Sequence, residues 1–230
     1  MRFDTLFLAI ALGAAALPAF ADPVSGTTSG VWVNPDPSAA PIVTTGAGTP
    51  TFTWGESAAP NSLAFDKGPG AFATVTESAF KVGKITYFNG TTTIGTTPDT
   101  VDLALTLNFA APALGAIVSD YAFKLVTTPN TDDPIASADY VYLPTAFSTT
   151  SFLIDGTTYN VKLAGFENVV GDGFLSSDNL SFHVEEGRTA SADLYAVVTT
   201  EVSTVPEPQN LALLFAGLGM MGLVARRRRG

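Results

Sequence analysis

The sequence predicts an all-β fold, an antiparallel β-sandwich of jelly-roll type, and three observations carry that expectation. In Val101-Asp102-Leu103-Ala104-Leu105-Thr106-Leu107-Asn108-Phe109 every odd position is a large apolar residue, the period of a strand with one face in a core and the other in water. Short runs rich in β-branched and aromatic residues recur between Gly, Asn, Asp and Pro punctuation about every 8 to 12 residues, as sandwich strands do. Between the two ends of the chain no stretch carries apolar residues at helical spacing over a useful length, so sheets must bury one another.

Taken in order, residues 22–29 form a polar leader, and Gly30-Val31-Trp32-Val33 is a first short strand stopped by Asn34-Pro35-Asp36-Pro37. Residues 38–50, rich in Ala, Thr, Pro and Gly, read as a loop. Thr51-Phe52-Thr53-Trp54-Gly55 is then the candidate partner of the first strand. Leu63-Ala64-Phe65, Phe72-Ala73-Thr74-Val75 and Lys81 to Phe88 follow as strands, with turns at Asp66-Lys67-Gly68-Pro69-Gly70 and Asn89-Gly90, where Gly supplies positive φ and Asn tolerates it. Asn89-Gly90-Thr91 has the form of a glycosylation sequon, but it is read as a hairpin turn. Tyr121-Ala122-Phe123-Lys124-Leu125-Val126 repeats the alternation. Asp155-Gly156 between Phe152-Leu153-Ile154 and Thr157 to Leu163 predicts a hairpin with a two-residue turn, and puts Phe152, Ile154, Tyr159, Val161 and Leu163 on one face. Leu180 to Val184 and Leu194 to Val202 complete the strands, the last expected beside the first.

The two ends are of another kind. Leu6 to Leu17 is an apolar run after Met1-Arg2, broken by Pro18, and Ala19-Phe20-Ala21 places small residues at both positions that a signal peptidase reads. Residues 1–21 are therefore expected to be a cleaved signal peptide. At the other end Pro206-Glu207-Pro208 precedes the uncharged run Leu211 to Ala225, then Arg226-Arg227-Arg228-Arg229. As a helix, that 15-residue run spans about 22 Å, short of the roughly 30 Å hydrocarbon core. Snorkelling arginines make up part of the difference and hold that flank on the cytoplasmic side.

The order Pro-Glu-Pro, short Gly-rich apolar helix, arginine cluster resembles the PEP-CTERM sorting signal of Gram-negative bacteria. The resemblance implies recognition by an exosortase in the inner membrane, cleavage near Pro206, and delivery of the body to the cell surface or the extracellular matrix with its exopolysaccharide. Residues 204–230 would be the sorting signal, with one transmembrane helix. The body, residues 30–203, resembles choice-of-anchor K domains through the order of Thr53-Trp54-Gly55, Phe80 to Asn89, the Leu103 to Phe109 strand, Thr128-Pro129-Asn130, Tyr159 to Phe166, and Glu186 with Leu194-Tyr195-Ala196. That likeness implies an extracytoplasmic β-domain and carries no catalytic residues with it.

Charge narrows the partners. Between the two ends, 6 cations stand against 19 carboxylates, a net −13, which argues against nucleic acid, whose binding rests on Lys and Arg. The chain has no Cys, so an exported body must be held by its core rather than by disulfides.

Few residues could carry chemistry. His183, the single histidine, points opposite to Phe182 and Val184 on alternation and reads as a solvent-facing strand residue. One His and no Cys exclude a zinc site built from those ligands. The acid pairs Asp132-Asp133 and Glu185-Glu186 are the places where two carboxyls could flank a glycosidic bond, though sequence spacing selects neither. Calcium is the one ion the loop acids suit: Asp132 and Asp133 with Asp139, or Asp172 with Asp178, offer hard oxygens without EF-hand spacing. Trp32, Trp54, Tyr87, Phe88, Tyr140 and Tyr142 would stack on sugar rings if a row of them were exposed, although sandwich aromatics are usually core. The expected function is a non-enzymatic surface or matrix protein. The alternative is a secreted carbohydrate-binding or glycoside-cleaving sandwich.

Overall fold

The computed structural model describes residues 22–68, 70–144, 150–154 and 156–200. The signal-peptide residues with Ala19 and Ala21, Asp155 of the hairpin turn, and the whole tail with Pro206, Glu207, Pro208 and Arg226 to Arg229 lie outside them. Among the described residues no helix is long and apolar enough to cross a membrane.

The alternating runs become fourteen strands: β1 (Pro23–Asp36), β2 (Thr44–Thr45), β3 (Thr51–Trp54), β4 (Asn61–Asp66), β5 (Ala71–Val75), β6 (Ala79–Phe88), β7 (Thr100–Ala111), β8 (Gly115–Val126), β9 (Asp139–Tyr142), β10 (Phe152–Ile154), β11 (Thr157–Gly171), β12 (Gly173–Leu175), β13 (Ser181–Val184) and β14 (Thr189–Thr200). They form two seven-stranded antiparallel sheets, one ordered β12-β13-β9-β8-β7-β1-β5 and the other β10-β11-β14-β6-β4-β3-β2. The protein is an all-β sandwich. Both sheets run from long interior strands to short margins: β5, β12, β10 and β2 have five, three, three and two residues. Short margins leave few free backbone groups for another chain to pair with.

The predicted alternation holds in β7, whose Val101, Leu103, Leu105, Leu107 and Phe109 are buried. The hairpin is also found, with Phe152 opposite Tyr159 and Ile154 opposite Thr157, and Gly156 at φ 82°. Three expectations about the first strand are corrected. The polar leader is strand: β1 begins at Pro23, pairs first with β5 and then along its length with β7, and buries Val24, Thr28, Gly30 and Trp32 at even positions. Period two was present there, but Thr28 and Gly30 carried it instead of apolar side chains. Gly26 sits at a register shift, where a Cβ would lie 2.2 Å from the Asn108 carbonyl oxygen, so the bulge admits only the smallest residue.

The partner assignments also differ. β3 pairs with β2 and β4 and not with β1; the residues just before it meet β1 through a Trp32–Thr49 bridge and a bond from Trp32 Nε1 to the Pro50 carbonyl at 3.1 Å. β14 lies between β11 and β6, in the sheet opposite β1. Nor does Asn89-Gly90 close a hairpin, since the chain after β6 crosses to β7 in the other sheet.

Aromatic side chains fill the space between the sheets. Trp32 meets Phe123 edge-on at 5.3 Å, Phe123 meets Phe166 at 6.5 Å, and Phe166 meets Phe182 at 5.7 Å, so the chain of rings passes between sheets. A second chain links Phe80, Phe72, Phe109, Phe152 and Tyr159. Hydrogen bonds also cross the gap, among them one from Thr28 Oγ1 to the Val82 carbonyl at 2.7 Å and one from the Tyr121 hydroxyl to the Val161 carbonyl at 3.0 Å. Phe123 is fully buried at the centre of this packing. Phe123→Ala is expected to cost about 3–5 kcal/mol in urea unfolding, whereas Ala122→Ser on the opposite face of β8 should change stability by less than about 0.5 kcal/mol.

Candidate functional site

β9 and β13 sort their side chains to two faces, and each face carries a feature of its own. On β9, Asp139 and Val141 are buried between the sheets, while Tyr140 and Tyr142 lie on the outer face. On β13, Phe182 and Val184 are in the core, which sets His183 outward as its alternation predicts. Cross-strand register places Phe174 opposite His183, His183 opposite Tyr140, and Tyr142 opposite both Ser181 and Lys124.

Four rings therefore share the outer face at one margin of the sheet. His183 lies 4.1 Å from Tyr140 and 4.7 Å from Phe174 between ring centres, and Tyr140 lies 6.2 Å from Tyr142. Tyr142 and Phe174 remain 38% and 37% exposed; His183 and Tyr140 are half-buried. His183 Nε2 bonds the Ser181 hydroxyl at 2.7 Å, which fixes the ring. Burial holds the imidazole below its usual pKa of 6.5, so it is neutral near pH 7.

The inner face carries a buried acid. Asp139 is 1% exposed, and its Oδ1 accepts from the Thr128 amide at 2.7 Å. Its Oδ2 faces two donors from the opposite sheet, Asn61 Nδ2 at 3.4 Å and the Tyr87 hydroxyl at 3.5 Å. Asn89, at the end of β6, donates through Nδ2 to the Val184 carbonyl at 2.9 Å and the Ser137 carbonyl at 3.4 Å. The Gly90 amide donates to Asn61 Oδ1. A Cβ at Gly90 would lie 1.9 Å from the Ala59 carbonyl oxygen, so this junction also requires glycine. Thr91 donates to Glu186, and Trp54 stacks on Tyr87 at 5.6 Å. Asn61, Tyr87 and Asn89 thus tie the β4–β6 side of one sheet to the β9–β13 side of the other. Burial pushes the Asp139 carboxyl from its ordinary 3.8 to about 6; the Thr128 amide opposes that rise, and Glu186 adds to it. Burial, then Asp139, holds the Tyr87 phenol well above its usual 10.

The proposed acid sites are dispersed by this arrangement. Asp132 and Asp133 are exposed, and Asp133 Oδ1 serves its own turn by accepting from the Ile135 and Ala136 amides at 2.9 and 3.3 Å. Asp139, nearby in sequence, points into the sandwich and is bound to neutral donors. Asp178 closes a turn with Ser176 and Leu180, while Asp172 is exposed between β11 and β12. Among the described residues no three His, Cys, Asp or Glu side chains gather where they could hold a metal ion. Glu185 and Glu186 lie in the β13–β14 connection, where Glu186 is held by Thr91. A surface pocket of about 210 Å³ is lined by Thr93, Ile94, Thr97, Thr127, Thr128 and Pro129, with no titratable side chain on its wall.

Of the six aromatics proposed for sugar stacking, Trp32, Trp54 and Tyr87 are in the core and Phe88 is half-buried in β6. Tyr140 and Tyr142 are on the outer face. Their neighbours Phe174 and His183 were not grouped with them by sequence, because they arrive from strands 32 or more residues away; alternation over Leu180 to Val184 was the available signal. No family model matches the chain, and no curated protein matches it.

The Asp139 knot has a pH signature. A carboxyl whose folded pKa is raised contributes stability that is fully present below its unfolded pKa near 3.8 and is lost as pH rises through about 6. At about 1.4 kcal/mol per pH unit, ionising it costs on the order of 3 kcal/mol. Asp139→Asn keeps the acceptor for Thr128 and has no proton to lose. The stability difference between Asp139→Asn and the parent should therefore move towards the variant by about 2–3 kcal/mol from pH 4 to pH 7, read from urea midpoints at each pH. A flat difference would sink the assignment.

Proposed function

We propose that this chain is an exported, non-enzymatic surface or matrix protein, sorted by an exosortase system and held in or near exopolysaccharide. The observation that carries the reading is the tail: Pro206-Glu207-Pro208, the short apolar run Leu211 to Ala225 and Arg226 to Arg229, in a chain whose other end has the form of a signal peptide. Signal peptidase and the exosortase are its partners during export, and contact with the inner membrane through the tail is transient. In this reading the body is a choice-of-anchor K type domain with jelly-roll connections. A cysteine-free body of net −13 supports it: the charge keeps the released domain soluble and away from anionic membranes. Of the two acid pairs weighed for glycoside cleavage, Asp133 is engaged by its own turn and Glu186 by Thr91, which favours a binding or structural role. Carbohydrate binding is the second reading, and the outer-face row of Phe174, His183, Tyr140 and Tyr142 is the observation that favours it.

Intact mass of the protein recovered from surface and medium fractions of its producer tests the sorting. A C-terminus close to Pro206 is expected, with or without an added group. Retention of Leu211 to Arg229 in mature material would overturn the reading and leave a membrane-tethered domain. Replacing Arg226 to Arg229 together by alanine should leave the tail uncleaved in most of the protein, seen as a retained mass in the membrane fraction.

A further inference from the structure

We propose that Phe174, His183, Tyr140 and Tyr142, on the outer face of the β12-β13-β9 margin, form a binding surface for a neutral polysaccharide. The proposal deepens the exopolysaccharide reading and rests on it only for where the polymer comes from.

The outer face of an antiparallel sheet is ordinarily polar, and on β7 and β8 this one largely is, with Val118 an exposed apolar exception. Its outward positions on β7 and β8 include Asp102, Thr106, Asn108, Asp120 and Lys124. Four rings gathered at one margin depart from that pattern. They are not spare core, because Phe182, Val141 and Val184 already fill the inner face of the same strands. The three-residue strand β12 ends the sheet at Phe174, so the row meets solvent at its margin as well as from above.

The chemistry of the row selects its occupant. Successive ring centres in the row are 4.7, 4.1 and 6.2 Å apart and the rings are inclined to one another by 34°, 60° and 72°, a spacing on the scale of one pyranose ring, whose axial C–H groups present an apolar face to an aromatic ring. The hydroxyls around the edge of that sugar find partners in the two tyrosine hydroxyls and the exposed amine of Lys124, which register sets beside Tyr142.

Other occupants fit less well. Nucleic acid, an anionic polymer and an anionic membrane all meet a body of net −13, with Lys124 the one cation that register sets beside the rings. A second copy of the chain brings the same charge. A folded protein partner needs roughly 800 Å² on each side. Four rings, two of them half-buried and two a little over one-third exposed, present far less than that.

Affinity electrophoresis of the full-length chain in a neutral detergent, in gels containing hydroxyethylcellulose, dextran, a neutral galactomannan or alginate, tests the proposal. Retardation by at least one neutral polymer is expected, with none by alginate. Tyr142→Ala and Phe174→Ala should each weaken that retardation by about tenfold, as loss of one stacking ring does. Tyr142→Phe and Phe174→Tyr, which keep a ring, should stay within about threefold of the parent. Leu153→Ala, an exposed apolar position on the opposite sheet, should bind as the parent does. No retardation in any neutral polymer, retardation by alginate alone, or binding that survives both alanine changes would overturn it. Circular dichroism separates loss of a ring from loss of the fold. Because the assay does not require a processed tail, its failure is distinct from a failure of the sorting reading.

Discussion

Two sheets with no covalent tie stay face to face only if what lies between them is worth more together than apart. Here the tie is aromatic. Trp32, Phe123 and Phe182 stand on strands of one sheet and Phe166 of the other reaches between Phe123 and Phe182, so neither sheet can slide without opening both of its ring contacts. Each pair adds about 0.5–1.5 kcal/mol beyond simple burial, and every ring in the chain is fully buried. In a body without cysteine this packing is a principal means of cohesion.

Apolar contact alone would permit many registers, because rings tolerate small shifts. The Asp139 knot supplies the discrimination. Its donors come from β4, β6 and the loop before β9, and each bond has a direction, so a slip of one residue would strand a buried carboxylate among apolar groups. The cost is carried by the acid itself, whose carboxyl is raised to about 6. A second acid, also largely buried, behaves in the opposite sense. Burial would raise Asp193, but Lys81 at 2.7 Å and Asn168 at 3.2 Å hold it below its ordinary value. Asp139 therefore trades stability for definition, while Asp193 is stabilised in its charged form by its ion pair with Lys81.

How much of this was legible follows from how local each signal is. β7 and the β10–β11 hairpin were readable because period two and a two-residue turn are properties of neighbours in sequence. The leader was misread because Thr28 and Gly30 occupy inward positions of β1 without looking apolar; only the opposite sheet, through the Val82 carbonyl, reveals why threonine suits that site. β9 and β12 escaped because four and three residues are too few to show a period. Asp139 looked like one more loop acid beside Asp132 and Asp133, and nothing within ten residues of it announces Asn61, 78 positions earlier.

The outer row and the inner knot share two strands, and this coupling follows from the pleat itself. Asp139 and Tyr140 are adjacent and so face opposite ways, as do Val184 and His183. Whatever fixes Asp139 against the opposite sheet also fixes the plane on which Tyr140 and His183 stand. A margin strand of four residues would otherwise fray, and rings on a fraying strand make a poor platform because their ordering would be charged against any ligand. Asn61, Tyr87 and Asn89 anchor β9 and β13 from inside, and so hold the strands on which Tyr140, Tyr142 and His183 stand. The costly buried acid and the exposed aromatics are thus two sides of one requirement, a short margin of sheet held still enough to present a surface.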